Sequence, residues 1–213
     1  MQMATNINYD NGQQFLLGRR VHHTSFVDGK HNESDENGVW EAMAGLSGDR
    51  YINDRCVNCH TRNGAAAPAG EGEPLNRYVV KVASADGGPD ADMGRVLQTA
   101  GAGAEGQASL TYWQPVGDLR KPVYAFSPVQ PAQFSVRLSP RLVGLGLLEA
   151  IKESDILALA DPDDRDGDGI SGRVNIGIDP ETGERHIGRF GWKAGAGSPV
   201  SYTHLRAHET TSH

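Results

Sequence analysis

Cys56-Val57-Asn58-Cys59-His60 is the stretch of this chain whose residue types and spacing carry the most chemistry. Two thiols three positions apart, followed at once by an imidazole, can form two thioether bonds to the vinyl groups of a haem while the histidine ligates its iron. The chain has two cysteines, and this pattern uses both. Two other chemistries share the spacing. A thioredoxin-type dithiol follows a strand inside a βαβ unit, whereas the residues from Asp49 to Arg55 are polar. A structural zinc takes four ligands, commonly from two such pairs, and this chain would have to add two histidines or carboxylates. Covalent c-type haem is therefore the expected cofactor, with Cys56 and Cys59 as its attachment points and His60 as the iron ligand on a short helix. Met43, Met93, His22, His23, His31 and His186 are the conceivable occupants of the opposite coordination position. Left open, that position suits peroxide chemistry; filled, it suits electron transfer.

The second informative stretch is Asp161 to Gly172. Asp164, Asp166 and Asp168 at alternate positions, followed by Gly169, match the first half of an EF-hand-like calcium loop, with the Ile170 carbonyl as a fourth candidate ligand. Such crowding of carboxylates is costly unless a cation or basic neighbours offset the repulsion. The twelfth position is Asn175 in place of the bidentate Glu of an EF-hand, and an acidic solvated turn beside Arg165 and Arg173 is the alternative. A third candidate is Glu105, in the glycine-rich loop from Gly101 to Gln107. An acid on so permissive a loop could move a peroxide proton by general acid/base transfer.

Around these residues the sequence predicts few and short elements. Phe15, Leu16 and Val21 with Arg19 and Arg20 suggest an amphipathic helix between Gly12 and Val21, and Val39, Trp40, Met43 and Leu46 recur at helical spacing. Residues 64–74 are too rich in Gly and Pro for a regular element and leave the haem helix as a loop. Arg77 to Val82, Ser109 to Trp113 and Phe134 to Leu138 are β-branched and aromatic, the makings of a small antiparallel sheet. Helical spacing returns from Asp92 to Ala100 with Gly101 as a stop. Leu142 to Ile151 is the most apolar run and predicts a buried element, and Ser154 would cap a following helix over Ile156, Leu157 and Leu159.

Composition narrows the function classes. At 213 residues the chain suits one compact unit with appendages. Hydrophobic residues make up 38% and glycine and proline are plentiful at 27 and 11, which predicts a loop-rich body. A net charge of -7 without any Lys/Arg run argues against nucleic-acid binding and favours a cationic or neutral partner. No stretch approaches the ~20 apolar residues of a membrane span, and Met1 to Gln14 lacks the parts of a secretory signal. The tail from Pro199 holds three of the eight histidines and no glycine. Its run from Pro199 to Thr210 resembles a translated sequencing adapter, so residues 199–213 are expected to be foreign to a domain spanning 1–198.

Five landmarks in order carry a family resemblance: Cys56 to His60; Gly94-Arg95-Val96-Leu97-Gln98 with Glu105-Gly106; Arg137-Leu138-Ser139-Pro140 leading into Gly144 to Ile151; Asp161 to Arg173; and Gly188 to Ala194. Together they resemble the di-haem oxidoreductase family, peroxidase-like proteins related to bacterial di-haem cytochrome c peroxidases. The resemblance implies a mainly α, cytochrome c-like fold with many irregular loops and a small antiparallel β component. It implies two c-type haems in a periplasmic protein, one facing hydrogen peroxide and one relaying electrons from a small cytochrome c or cupredoxin. This chain would hold the first, peroxide-facing haem, the second attachment motif lying beyond Trp192. Glu105, with Gln98 as its polar neighbour, is then the expected distal group. The rival is a non-catalytic electron-transfer domain with a six-coordinate haem, and a third reading is a haem-free acidic domain that binds calcium or zinc.

Overall fold

The computed structural model describes residues 7–104, 106–179 and 182–198. The chain divides into two compact units, one up to Arg141 and one from Leu142.

In the first unit, helix α1 runs from Tyr9 to His23. It starts where the Asn8 side chain accepts the Asn11 N–H at 2.8 Å and ends where the Thr24 hydroxyl donates to the Arg20 carbonyl at 2.7 Å, so both ends have side-chain partners for otherwise orphaned backbone groups. The rest of the unit is built from strands: β1 (Tyr78–Ala83), β2 (Gln107–Val116), β3 (Leu119–Ser127) and β4 (Gln133–Leu138). β2 and β3 form an antiparallel hairpin across Gly117-Asp118, with a bulge between Leu110 and Tyr112. β1 pairs antiparallel with β4, from Tyr78 opposite Leu138 to Ala83 opposite Gln133. All three expected strands are therefore present.

The core of this unit is Leu75, Val80, Val82, Met93, Leu97, Ala108 and Leu110, flanked by Tyr78, Trp113, Tyr124, Phe126 and Val136. Backbone bonds knit the two strand pairs to each other through residues 72–75: Leu75 N–H donates to the Ala108 carbonyl at 2.8 Å and Leu110 N–H to the Glu73 carbonyl at 3.0 Å. Burying each such aliphatic side chain is worth roughly 1.5–3 kcal/mol, so this cluster fixes where β1 and β4 lie.

The second unit holds two short helices, α2 (Leu145–Glu149) and α3 (Glu153–Ala158), and the antiparallel pair β5 (Ile176–Ile178) and β6 (Arg185–Ile187). Arg189 ties it together. Its guanidinium donates to the carbonyls of Leu148 at 3.2 Å, Glu149 at 2.9 Å and Ile151, satisfying the orphaned end of α2 with a cation where the helix dipole favours one.

The mainly α expectation is overturned: the structure is 21% helical and 27% strand. The physical causes are local. Asp92 to Ala100 lies along β1 instead of coiling, with Leu97 N–H on the Val80 carbonyl at 2.9 Å and Val82 N–H on the Arg95 carbonyl at 3.1 Å. Gly94 turns at φ 64°, a conformation that ends a right-handed helix. Between Val39 and Leu46 only Glu41–Met43 forms a single 3-10 turn, and Val39 and Leu46 are exposed. Leu142 to Ile151 is not a buried element either, since Val143 and Leu147 are 71% and 78% exposed. Lys152, not Ser154, precedes the first turn of α3.

Candidate functional site

The Cys-x-x-Cys-His motif folds as a 3-10 turn, Cys56–Asn58, followed by a second over Thr61–Asn63; the expected short helix is not formed. His60 N–H reaches the Cys56 carbonyl at 2.9 Å, which brings both cysteines and the imidazole onto one turn. Residues just before it in sequence hold the turn. Asn58 Nδ2 donates to Asn53 Oδ1 at 2.6 Å and to Asp54 Oδ1 at 3.0 Å, and Asn53 Nδ2 donates to the Asn76 carbonyl at 3.1 Å and approaches Cys59 Sγ at 3.9 Å. Asn53 was not singled out by sequence reasoning; nothing in its position signals a hub between the motif and the segment leading into β1.

The decisive contacts come from 80 residues away. At the end of β4, the Ser139 hydroxyl donates to the Cys59 carbonyl and accepts the Ala66 N–H at 3.3 Å. Next to it, the Pro140 carbonyl lies 2.9 Å from His60 Nδ1. A carbonyl can only accept, so Nδ1 carries the proton and Nε2 keeps its lone pair. That is the tautomer in which Nε2 can ligate a metal, with the Nδ1–H bond fixing the ring's orientation. Burial lowers the His60 pKa, against the opposing effects of hydrogen bonds to the backbone of Pro140 and Gly64.

The two thiols are free and partly exposed. Burial raises the pKa of Cys56, and burial together with the neighbouring Cys56 pushes Cys59 up to about 11. Redox-active dithiols have the opposite shift, a thiolate stabilised near neutral pH. Zinc fares no better, because among the described residues the clusters of His, Cys, Asp and Glu able to hold a metal ion do not include either cysteine. The turn therefore holds two thiols whose pKa values burial raises and an imidazole whose Nδ1 is bound to the Pro140 carbonyl.

Helix α1 packs against this turn. Its last two residues, His22 and His23, are buried, and the tight loop after them brings His31 back by pairing with Thr24. His23 and His31 stack with centroids 5.4 Å apart, and His22 lies tilted against His23 at 5.3 Å. His23 Nδ1 meets Asn32 Oδ1 at 2.8 Å and Glu33 Oε1 at 3.5 Å, and Glu33 is paired with Arg19. His31 Nδ1 accepts the Glu33 N–H at 3.2 Å. These two imidazoles and Glu33 cluster closely enough for a metal ion, but their partners already account for them as a satisfied polar network. His22 differs: both of its ring nitrogens are buried and neither has a hydrogen-bond partner. Burial, with the charges of His23 and His60 close by, lowers its pKa to about 4.

The remaining expectations divide. Met93 is a core residue and Met43 is half-buried in a 3-10 turn. His186 lies on β6 with its ring against Gly177 and Gly197, where a Cβ would collide with it. Gln98 is buried, 6% exposed, between Leu97 of the core and Thr99. Glu105 lies outside the described residues. The ends of its loop are anchored, however: Gln107 Nε2 donates to the Thr99 carbonyl at 2.7 Å and Gly103 N–H to the Asp49 carbonyl at 2.9 Å. Thr99, Gln107 and Asn53 line an open cavity of about 360 Å³ together with Tyr51 and Ile52.

In the second unit the acidic loop does bring Asp164, Asp166 and Asp168 together. Each accepts a backbone N–H through one oxygen: Gly169 to Asp164 at 3.1 Å, Asp168 to Asp166 at 3.2 Å and Ile170 to Asp168 at 2.8 Å. The Asp161 carboxylate staples the same loop by accepting from Arg165 and Asp166, while its other oxygen is buried and unpartnered. Asn175 does not join them; its side-chain amide donates to the Lys193 and Ala194 carbonyls at 3.0 Å.

Residues 130–208 match the family model described as di-haem oxidoreductase, putative peroxidase. The span contains Ser139 and Pro140, the acidic loop and Arg189. It also takes in residues 199–208 of the tail expected to be foreign, which lie outside the described residues. No curated protein and no solved structure matches the chain.

The thiol shifts give a direct test of the dithiol alternative. Cysteines held protonated should react slowly with a disulfide reagent at neutral pH in the haem-free protein, Cys59 accelerating only as pH approaches about 11. Because the folded-state pKa lies above the ordinary 9.0, stability from the buried thiol is complete below pH 9 and falls as pH rises from 9 towards 11. A thiol that reacts rapidly at pH 7 would revive the redox reading.

Proposed function

We propose, from the match of residues 130–208 to the di-haem oxidoreductase family model, that the chain belongs to that family and carries one covalently attached c-type haem of a periplasmic oxidoreductase that reduces hydrogen peroxide. The observation that carries this reading is the bond between His60 Nδ1 and the Pro140 carbonyl. It joins the Cys56 to His60 turn to the matched segment and presents Nε2 for iron.

Cys56 and Cys59 would each add their S–H across a haem vinyl group. The S–H bond breaks, an S–C bond forms and the hydrogen ends on the neighbouring carbon, so the addition consumes no oxidant and gains nothing from a lowered thiol pKa. Ser139 and Asn58 hold the turn so that both thiols and the imidazole address one ring system. When bound, the haem supplies one-electron redox chemistry. Reduction of one hydrogen peroxide to two waters takes two electrons and two protons. In the proposed protein the electrons come from a small cytochrome c or cupredoxin, the second haem completes the relay, and Glu105 is the group proposed to move a proton. The net charge of -7 suits a cationic donor surface.

The rival reading, a six-coordinate haem that only carries electrons, is favoured by one observation, the buried and unpartnered imidazole of His22 beside the motif.

Protein made in a host with c-type haem maturation should retain its haem through acid-acetone extraction and give a thioether-type pyridine haemochrome. Cys56→Ala with Cys59→Ala should abolish that retention. Haem extracted freely from the unaltered protein would contradict the proposal.

We also propose that the loop of Asp164, Asp166 and Asp168 takes calcium, with the Ile170 carbonyl as a further ligand. Calcium should raise the melting temperature by several degrees, consistent with about 1–2 kcal/mol, and Asp166→Asn with Asp168→Asn should remove that increase. An unchanged melting temperature in calcium would count against the site.

A further inference from the structure

A buried imidazole that makes no hydrogen bond is an expensive object. Its N–H donor and its unprotonated acceptor each lose water without replacement, at roughly 1–3 kcal/mol per group. His22 is in that state: 8% exposed, with Nδ1 and Nε2 both buried and unpartnered. Its two imidazole neighbours, His23 and His31, have polar partners on their ring nitrogens from Asn32 and Glu33. Chain-level packing gives no reason for the difference, because all three sit on the same helix end and returning loop. What sets His22 apart is its place. It lies in the last turn of α1, the helix that packs against the Cys56–Asn58 turn, and the charge of His60 is close enough to act on it.

We propose that His22 is the second axial ligand of the haem iron, opposite His60. Ligation would use one ring nitrogen's lone pair and so remove the cost of leaving it buried and unmatched. The inference rests on the proposal that Cys56, Cys59 and His60 hold a haem. It adds that this haem is six-coordinate in the resting protein.

The alternatives are weaker. His23 has Asn32 and Glu33 on Nδ1, His31 accepts a backbone N–H and Met93 is a member of the aliphatic core. His186 also has a buried, unpartnered Nε2, but only that one ring nitrogen is in this state, and its ring is packed against Gly177 and Gly197. Moving any of these onto iron would break contacts that the fold already makes, whereas engaging His22 breaks none of its hydrogen bonds.

The test is the iron's spin state in the haem-loaded protein, read by electron paramagnetic resonance and by the Soret and charge-transfer bands. The unaltered protein should be low-spin with two nitrogen ligands. His22→Ala should keep the covalent haem but turn high-spin, with added imidazole restoring the low-spin form; His23→Ala should stay low-spin. If His22→Ala does not fold, His22→Met decides the matter: a methionine-to-iron charge-transfer band supports the assignment, and an unchanged bis-nitrogen spectrum overturns it. Covalent haem that is high-spin in the unaltered protein, or low-spin in His22→Ala without imidazole, overturns the His22 assignment alone. Absence of covalent haem overturns the haem reading and this inference with it.

Discussion

The site depends on a strap, Ser139-Pro140, laid across the Cys56 to His60 turn. Its two side-to-backbone contacts join residues 80 apart in the chain, and such non-local bonds cannot place themselves. A hydrogen bond contributes only about 1 kcal/mol net, far less than the chain entropy of bringing distant segments together. The placement comes from the β1/β4 pairing, whose register sets Leu138 opposite Tyr78, and from the aliphatic cluster of Leu75, Val80, Val82 and Leu97 that anchors β1. Packing positions the strap, and the strap then decides which nitrogen of His60 carries the proton.

The charge state of the site follows from the same burial. Both thiols are held protonated and His60 and His22 are held neutral, each with burial as the leading cause. The turn thus presents neutral groups throughout, which suits covalent capture and ligation better than it suits thiolate chemistry. Helix α1 contributes more than packing to this arrangement, because its last turn holds an imidazole, His22, whose ring nitrogens have no hydrogen-bond partner, close enough to His60 for their charges to interact.

How much of this was legible in the sequence varies with the range of the interactions. The Cys56 to His60 pattern is five adjacent residues, so the expectation of haem could be drawn from them without any knowledge of the fold. The strands at 78–83, 107–116 and 133–138 were visible because β-branched and aromatic residues crowd there. The mainly α expectation failed where a few apolar residues happened to fall at helical spacing. At 92–100 a positive-φ Gly94 and the open edge of β1 drew Val96 and Leu97 into extended pairing, a tertiary effect that propensity does not contain. Asn53, Ser139 and Pro140 could not be assigned roles in advance, since their partners lie in other segments. Similarly, the sequence does not separate six residues as candidates opposite His60; burial and hydrogen bonding distinguish His22 from His23 and His31.

Because the orientation of His60 is the point on which the proposed haem site turns, its protonation pattern is the most direct thing to measure. Nitrogen-15 imidazole resonances of the haem-free protein at neutral pH should show His60 protonated at Nδ1 and unprotonated at Nε2. A His60 ring protonated at Nε2, with Nδ1 free, would contradict the account, because Pro140 would then hold no proton and the ligating lone pair would point away from the haem.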